Sequence, residues 1–122
     1  MFLELGHTKL DIYSKSKMLT LLCYKATIKF PQEEKYNLVQ QIRRAALSVH
    51  LNIAEGASRK SPLERKRFYE IARSSVVEVD TGFDIGAELK YCEKAELTEL
   101  GYYIISCFKQ LSSLINYNTD KH

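Results

Sequence analysis

Apolar residues recur along the chain at steps of three and four, which places them on one face of an α-helix. No stretch of useful length alternates in the manner of a strand. Four such stretches predict four helices, over about 8–29, 32–59, 62–90 and 94–117. The inward stripe of the first is Leu10, Ile12, Tyr13, Leu19, Leu22, Cys23 and Ala26. That of the second is Leu38, Ile42, Ala45, Ala46, Val49 and Ile53, continued by Gly56 as a close helix contact. The third places Phe68, Ile71, Ala72, Ser75, Val79, Gly82 and Leu89 inward, and the fourth Leu97, Leu100, Ile104, Phe108, Leu111 and Ile115.

The punctuation agrees with this division. Pro31 ends the first helix, because proline disfavours the helical conformation of Phe30 before it, and is preorganised to begin the second. Glu33 and Glu34 then meet the positive end of the second helix dipole, as Lys25 and Lys29 meet the negative end of the first. Ser61-Pro62-Leu63-Glu64 is a capping box with proline at the first helical position: Ser61 accepts from the Glu64 N–H and the Glu64 carboxylate reaches back. Gly82 and Gly86 weaken the third helix, and mark either a close helix approach or local looseness. The tail from Asn118 to His122 is polar and predicted to fray. Short connections favour antiparallel neighbours, so the expected architecture is all-α, an antiparallel up-down-up-down four-helix bundle forming one domain over residues 1–122.

Two further patterns do not belong to a single core. On the second helix Gln41, Arg44, Ser48, Asn52, Glu55 and Arg59 recur within an arc of about 80° beside the apolar stripe. Glu64, Arg67, Ser75 and Glu78 answer them from the third helix. Half-buried polar groups need partners, so these ten residues predict a structural polar network across the groove or a subunit boundary; the alternative is a binding groove. The second pattern is apolar. Tyr69, Val76 and Phe83 repeat every seven residues on the predicted back of the third helix, and Tyr36, Leu47, Leu51 and Ala54 cluster on the back of the second. Exposed apolar surface of this kind marks a contact site, so Tyr36, Leu47, Leu51, Tyr69, Val76 and Phe83 are the expected homo-oligomer interface, with a ring if the contact is head-to-tail.

Composition narrows the function classes. Hydrophobic residues make up 45% of the 122 residues, enough for a packed core, and the net charge of +3 permits a nucleic-acid or acidic partner without requiring one. No apolar run approaches the roughly 20 residues that span a bilayer, and the N-terminus lacks the pattern of a signal peptide. Three cysteines, Cys23, Cys92 and Cys107, and three scattered histidines, His7, His50 and His122, fall at no metal-ligand spacing. A reduced, cytoplasmic protein with free thiols and no metal or cofactor is the expectation. No nucleophile–base pair, phosphate-cradling glycine loop or Glu-x-x-His di-iron pattern is present, so no enzyme is predicted.

One resemblance runs through these residues. Phe30-Pro31, Glu34, Tyr36, Gln41-Ile42-Arg43-Arg44-Ala45-Ala46, Ser48, Asn52-Ile53-Ala54-Glu55-Gly56, Arg59, Ser61, Glu64, Arg67-Phe68, Ile71-Ala72, Ser75 and Glu78 resemble the four helix bundle protein family, also called the 23S rRNA-intervening-sequence protein family. Leu10, Ile12, Tyr13 and Leu19 fit the same pattern. The resemblance implies a bundle that assembles as a homopentamer. Some members are encoded within intervening sequences of bacterial rRNA genes. A related branch is similar to the accessory variability protein of diversity-generating retroelements, a basic ring that binds nucleic acid and a reverse transcriptase. Ser74 stands where the family usually has glycine, and Gly82 and Gly86 where bulkier residues are usual.

The basic residues then acquire a candidate role. Arg59, Lys60, Arg65, Lys66 and Arg67 put five cations into nine positions at the corner of the second and third helices, and Arg43, Arg44 and Arg73 extend the charge. Contacts from such a patch go to phosphate, and are sequence-independent and salt-sensitive. A homo-oligomeric nucleic-acid-binding protein, RNA favoured over DNA, is the leading expectation. The alternative is a scaffold module that binds a protein such as a reverse transcriptase.

Overall fold

The computed structural model describes residues 5–120, apart from the side chains of Thr8 and Lys9. Four helices make up the fold: α1 (Asp11–Thr27), α2 (Leu38–Ser58), α3 (Pro62–Glu88) and α4 (Thr98–Thr119). Each packs on its chain neighbours and α1 closes against α4, which is the up-down-up-down arrangement; α2 and α3 form the most extensive seam.

Three helix starts lie later than periodicity predicts, because short 3₁₀ turns take up the connections at Gly6–Lys9, Gln32–Glu34 and Lys94–Leu97. Pro31 is extended and opens a turn, not α2. The acid expected to serve the helix dipole instead caps the helix that follows: Glu34 Oε1 accepts from the Leu38 N–H at 3.4 Å and from Asn37 Nδ2 at 3.1 Å. The reciprocal capping box forms at Glu93 and Glu96, ahead of α4. The end of α4 also departs from expectation. Asn118 is buried, accepts from Arg65 Nε at 2.9 Å and donates to the Leu114 carbonyl at 2.8 Å. The predicted frayed end is therefore helical through Thr119, while its last two residues lie outside the described ones.

The inward face of α3 is the main correction. Tyr69, Val76 and Phe83 are 3%, 0% and 3% exposed, whereas Ile71 and Leu89, predicted inward, are 43% and 51% exposed. Apart from Ser75, the buried set, Tyr69, Ala72, Val76, Val79, Phe83 and Gly86, is spaced three, four, three, four, three. That alternation is the a/d seam of a helix packed along its length. The Phe68–Ser75–Gly82 line forms the α2-facing flank instead. There the glycines permit close approach: a Cβ on Gly82 would lie 2.6 Å from Ile42 Cγ1, and one on Gly56 2.8 Å from the Tyr69 ring. Of the two readings of Gly82, close packing is the one observed. On α4, Phe108 is likewise exposed, and Cys107 takes the buried position beside Leu100, Leu111 and Ile115. Leu10 is exposed at the start of α1.

Polar pairs stitch the other seams. Lys15 Nζ donates to Ser106 Oγ at 3.0 Å and Tyr102 OH at 3.3 Å across α1–α4. Thr20 Oγ1 lies 3.2 Å from the Ala46 carbonyl across α1–α2. Among the described residues no buried side-chain nitrogen or oxygen lacks a hydrogen-bond partner.

Candidate nucleic-acid interface

The α2–α3 corner is built by its own punctuation. Arg59 leaves α2 in an extended conformation, and Ser61 and Pro62 restart the chain as helix. Ser61 Oγ accepts from the Glu64 N–H at 3.4 Å. The predicted return bond from the Glu64 carboxylate is not made among the described residues, so the box is half formed. Arg65 supplies the rest. Its Nη1 donates to the carbonyls of Arg59 at 3.0 Å and Lys60 at 2.6 Å, and its Nε to Asn118. One guanidinium thus closes the turn and ties it to the last turn of α4.

Four of the eight predicted phosphate-binding cations are engaged by the protein. Besides Arg65, Arg59 pairs with Glu55 at 2.9 Å and lies 5.0 Å over the Phe68 ring. Arg43 reaches the end of α1, donating to Thr27 Oγ1 at 2.9 Å and the Tyr24 carbonyl at 3.1 Å while stacking on the Tyr24 ring. Arg73 donates to Ser112 Oγ at 3.1 Å beside Phe108. Arginine's planar fork suits such multiple bonds, which explains why arginines hold these positions. The side chains of Arg44, Lys60, Lys66 and Arg67 make no hydrogen bond or ion pair among the described residues. Lys60, Lys66 and Arg67 cluster in sequence at the corner, with Lys66 half-buried and the other two exposed.

The polar network is smaller than predicted. Ser75 Oγ donates to Ser48 Oγ at 2.8 Å, and Asn52 Nδ2 donates to the Ser48 carbonyl at 2.8 Å. Glu55 and Arg59 form a separate pair one turn apart. Gln41, Arg44, Glu64, Arg67 and Glu78 are exposed, and their side chains make no bond among the described residues. At so narrow a seam serine and asparagine reach one another, and the longer side chains extend into solvent. The interface set divides too. Tyr36, Leu47 and Leu51 are exposed as expected, but Tyr69, Val76 and Phe83 belong to the core and are withdrawn from it.

Residues that sequence reasoning passed over complete the surface. Leu21 and Tyr24 on α1 and Ile28 just past its end are exposed at helical spacing, joined to the outer face of α2 through the Arg43–Tyr24 stack. Glu78, Asp80, Asp84 and Glu88 give the second half of α3 an acidic character, with no basic residue between Arg73 and Lys90. The signal for the acids was plain in the charge order along α3.

Chemistry-bearing side chains elsewhere are held for packing. Ser16 Oγ lies 2.7 Å from His50 Nδ1, with the Tyr13 ring stacked on the imidazole, but Ser16 is fully buried and unavailable to a substrate. Burial, and then the charge of Lys17 and of His7, lowers the His50 pKa below its ordinary 6.5. Burial pushes the Cys23 and Cys107 thiols up to about 12, which keeps them protonated and unreactive. Among the described residues no three His, Cys, Asp or Glu side chains group to hold a metal ion, and no helix is long and apolar enough to cross a membrane.

These features define a class: an all-α four-helix bundle with a partly free basic corner. The family follows from comparison. The family model described as "23S rRNA-intervening sequence protein" matches residues 8–113, and the chain belongs to that family. A solved structure of a protein with unknown function from the S23 ribosomal protein family, from Bacteroides thetaiotaomicron, superposes with a TM-score of 0.76 at 19% identity. The match covers 85% of this chain and 97% of that one, and establishes the shared fold. No curated protein matches the chain.

Proposed function

We propose that the chain is a non-enzymatic, cytoplasmic subunit of a homo-oligomer, pentamer favoured, that binds nucleic acid, RNA favoured, through the α2–α3 corner. The observation that carries this reading is the set of cations at that corner, Lys60, Lys66 and Arg67, which have no carboxylate partner among the described residues. They sit near the start of α3, where the helix dipole already repels positive charge. A phosphate backbone relieves that repulsion. Tyr36, Leu47 and Leu51, with the exposed apolar residues of α1, supply a contact face for neighbouring copies. Repetition of a modest patch around a closed assembly raises avidity without new contacts. Membership in a family named for sequences that interrupt 23S rRNA favours RNA over DNA. The exposed apolar face equally suits the second reading, a scaffold that binds a protein such as a reverse transcriptase without touching nucleic acid.

Filter binding of a single-stranded and a double-stranded RNA at low salt tests the reading. Lys66→Glu/Arg67→Glu is expected to abolish binding while sedimentation shows the assembly unchanged. Undiminished binding by this pair, or no binding by the unaltered protein, rules the corner out.

A further inference from the structure

On the flank formed by α3 and α4 lies a groove of about 360 Å³, far along α3 from the basic corner. Phe83, Leu97, Leu100 and Ile104 give it an apolar lining, and Asp80 and Asp84 stand one turn apart among the residues that border it. Two independent features of the groove have no explanation within the chain itself.

The first is Gly101. It lies inside α4, where glycine weakens a helix. Gly56, Gly82 and Gly86 each have a side chain within 3.0 Å of where a Cβ would stand, so close packing explains them. A Cβ on Gly101 would meet nothing within 4 Å. Packing inside the bundle therefore does not require a glycine there. The second is charge. Asp80, Asp84 and Glu88 follow one another at one-turn spacing toward the end of α3, Glu88 at the negative end of its dipole where an acid is unfavourable, and none has an ion-pair partner among the described residues. Space over an apolar floor and uncompensated carboxylates beside it coincide at one place.

We infer that this groove receives a basic amphipathic helix of a partner protein, with an apolar side chain seated over Gly101 and lysine or arginine side chains on Asp80 and Asp84. The pitch matches. Residues four apart on a helix rise about 6 Å, so cations at the same spacing on the partner face both carboxylates at once. Lys94, also bordering the groove, sets the direction: the partner's carboxyl-terminal end, with its negative dipole, points toward it. The basic corner lies about 20 Å or more along α3 from Asp80, so a polyanion there and a basic helix here bind without competing. This inference does not depend on the RNA reading of the corner.

The test uses the full chain and a synthetic peptide of about five helical turns, with a leucine stripe flanked by lysines, followed by fluorescence anisotropy at about 0.15 M salt. A peptide of the same composition with the stripe scrambled is the reference. The striped peptide is expected to bind at least about tenfold more tightly than the scrambled one. Gly101→Leu, which fills the groove without changing charge, and Asp80→Asn/Asp84→Asn, which changes charge without changing shape, are each expected to weaken binding about tenfold or more. Glu64→Gln, an exposed acid at the other end of α3, leaves it unchanged. Equal binding of the two peptides overturns the inference as mere charge attraction. So does unchanged affinity in Gly101→Leu with its helicity intact by circular dichroism. If Gly101→Leu instead dissociates the protein's own assembly in sedimentation and the striped peptide never binds, the groove belongs to a second copy and the inference fails.

Discussion

The two halves of α3 solve opposite problems. In its amino-terminal half cations outnumber the acids Glu64 and Glu70, and half of those cations are tied down: Arg65 closes the turn and reaches α4, and Arg73 bonds Ser112. In its carboxyl-terminal half the charges are anionic and lack ion-pair partners among the described residues, while the apolar face is packed hard, with Gly82 against Ile42 and Phe83 at 6.2 Å from Phe30. Counting charges therefore overstates the basic half as a binding surface. It understates the acidic half, whose carboxylates are all still available to a partner.

The largest effect is expected from Phe83→Ala in the packed half, a loss of about 3–5 kcal/mol in urea unfolding, because a buried aromatic leaves a cavity. Were Phe83 an interface residue, the variant would change sedimentation and leave monomer stability intact. In the basic half, Arg65→Ala should cost about 2–3 kcal/mol, since two turn carbonyls and the Asn118 oxygen each lose a charged donor. Lys66→Ala, a few ångströms of chain away, should stay within about 0.5 kcal/mol. Equal losses from the two would erase the distinction between structural arginine and free lysine. Next come the glycines. Gly82→Ala is expected to destabilise by about 1–3 kcal/mol through overpacking on Ile42, and Gly101→Ala to stabilise by up to about 1 kcal/mol through helix propensity. The same sign for both would show that the space at Gly101 is not open.

The smallest effect concerns pH, and lies on α1–α2, away from both halves. The folded pKa of His50 is depressed below 6.5, first by burial, so the unfolded chain binds its proton more readily. Its contribution to stability is full above 6.5 and is lost as pH falls through 6.5 toward the folded pKa. His50→Gln should flatten the fall of the unfolding midpoint below that pH. Lys17 and His7 face the imidazole from α1 and the turn before it, and belong in any fit of the profile.

How much of this was legible beforehand depends on the element. The second helix was read correctly from Ile42 onward, because Ile42, Ala45, Ala46, Val49 and Ile53 form an unbroken stripe bordered by charge, while at its start Val39 is buried and the expected Leu38 only half-buried. The third was rotated. Its apolar residues lie on more than one face, so periodicity alone offered two stripes. The choice fell on the one with Ile71, when the seven-residue repeat through Tyr69, Val76 and Phe83 was the seam. The basic corner was located by composition, but which cations remain free was not. That depends on backbone carbonyls and on Asn118, a residue 53 positions from Arg65 and expected to lie in a frayed tail. Three of the four helix starts were missed for a local reason: 3₁₀ turns satisfy the same capping and dipole preferences as the first turn of an α-helix.

That long reach from Arg65 to Asn118 has a consequence for the order in which the protein comes into being. A ribosome delivers Arg65 well before it delivers Asn118, and side-chain geometry at the α2–α3 turn waits for the later residue. The α2–α3 seam, by contrast, has all its residues in hand once α3 has emerged. The tie from that turn to α4 is then among the last bonds of the bundle to form, so the turn that carries Lys60, Lys66 and Arg67 reaches its full set of bonds only once α4 is complete. Nascent chains arrested before Asn118 should be clipped by trypsin at Lys60 and Lys66 far faster than chains extended past it. Equal cleavage in both would show that the turn sets without its distant partner.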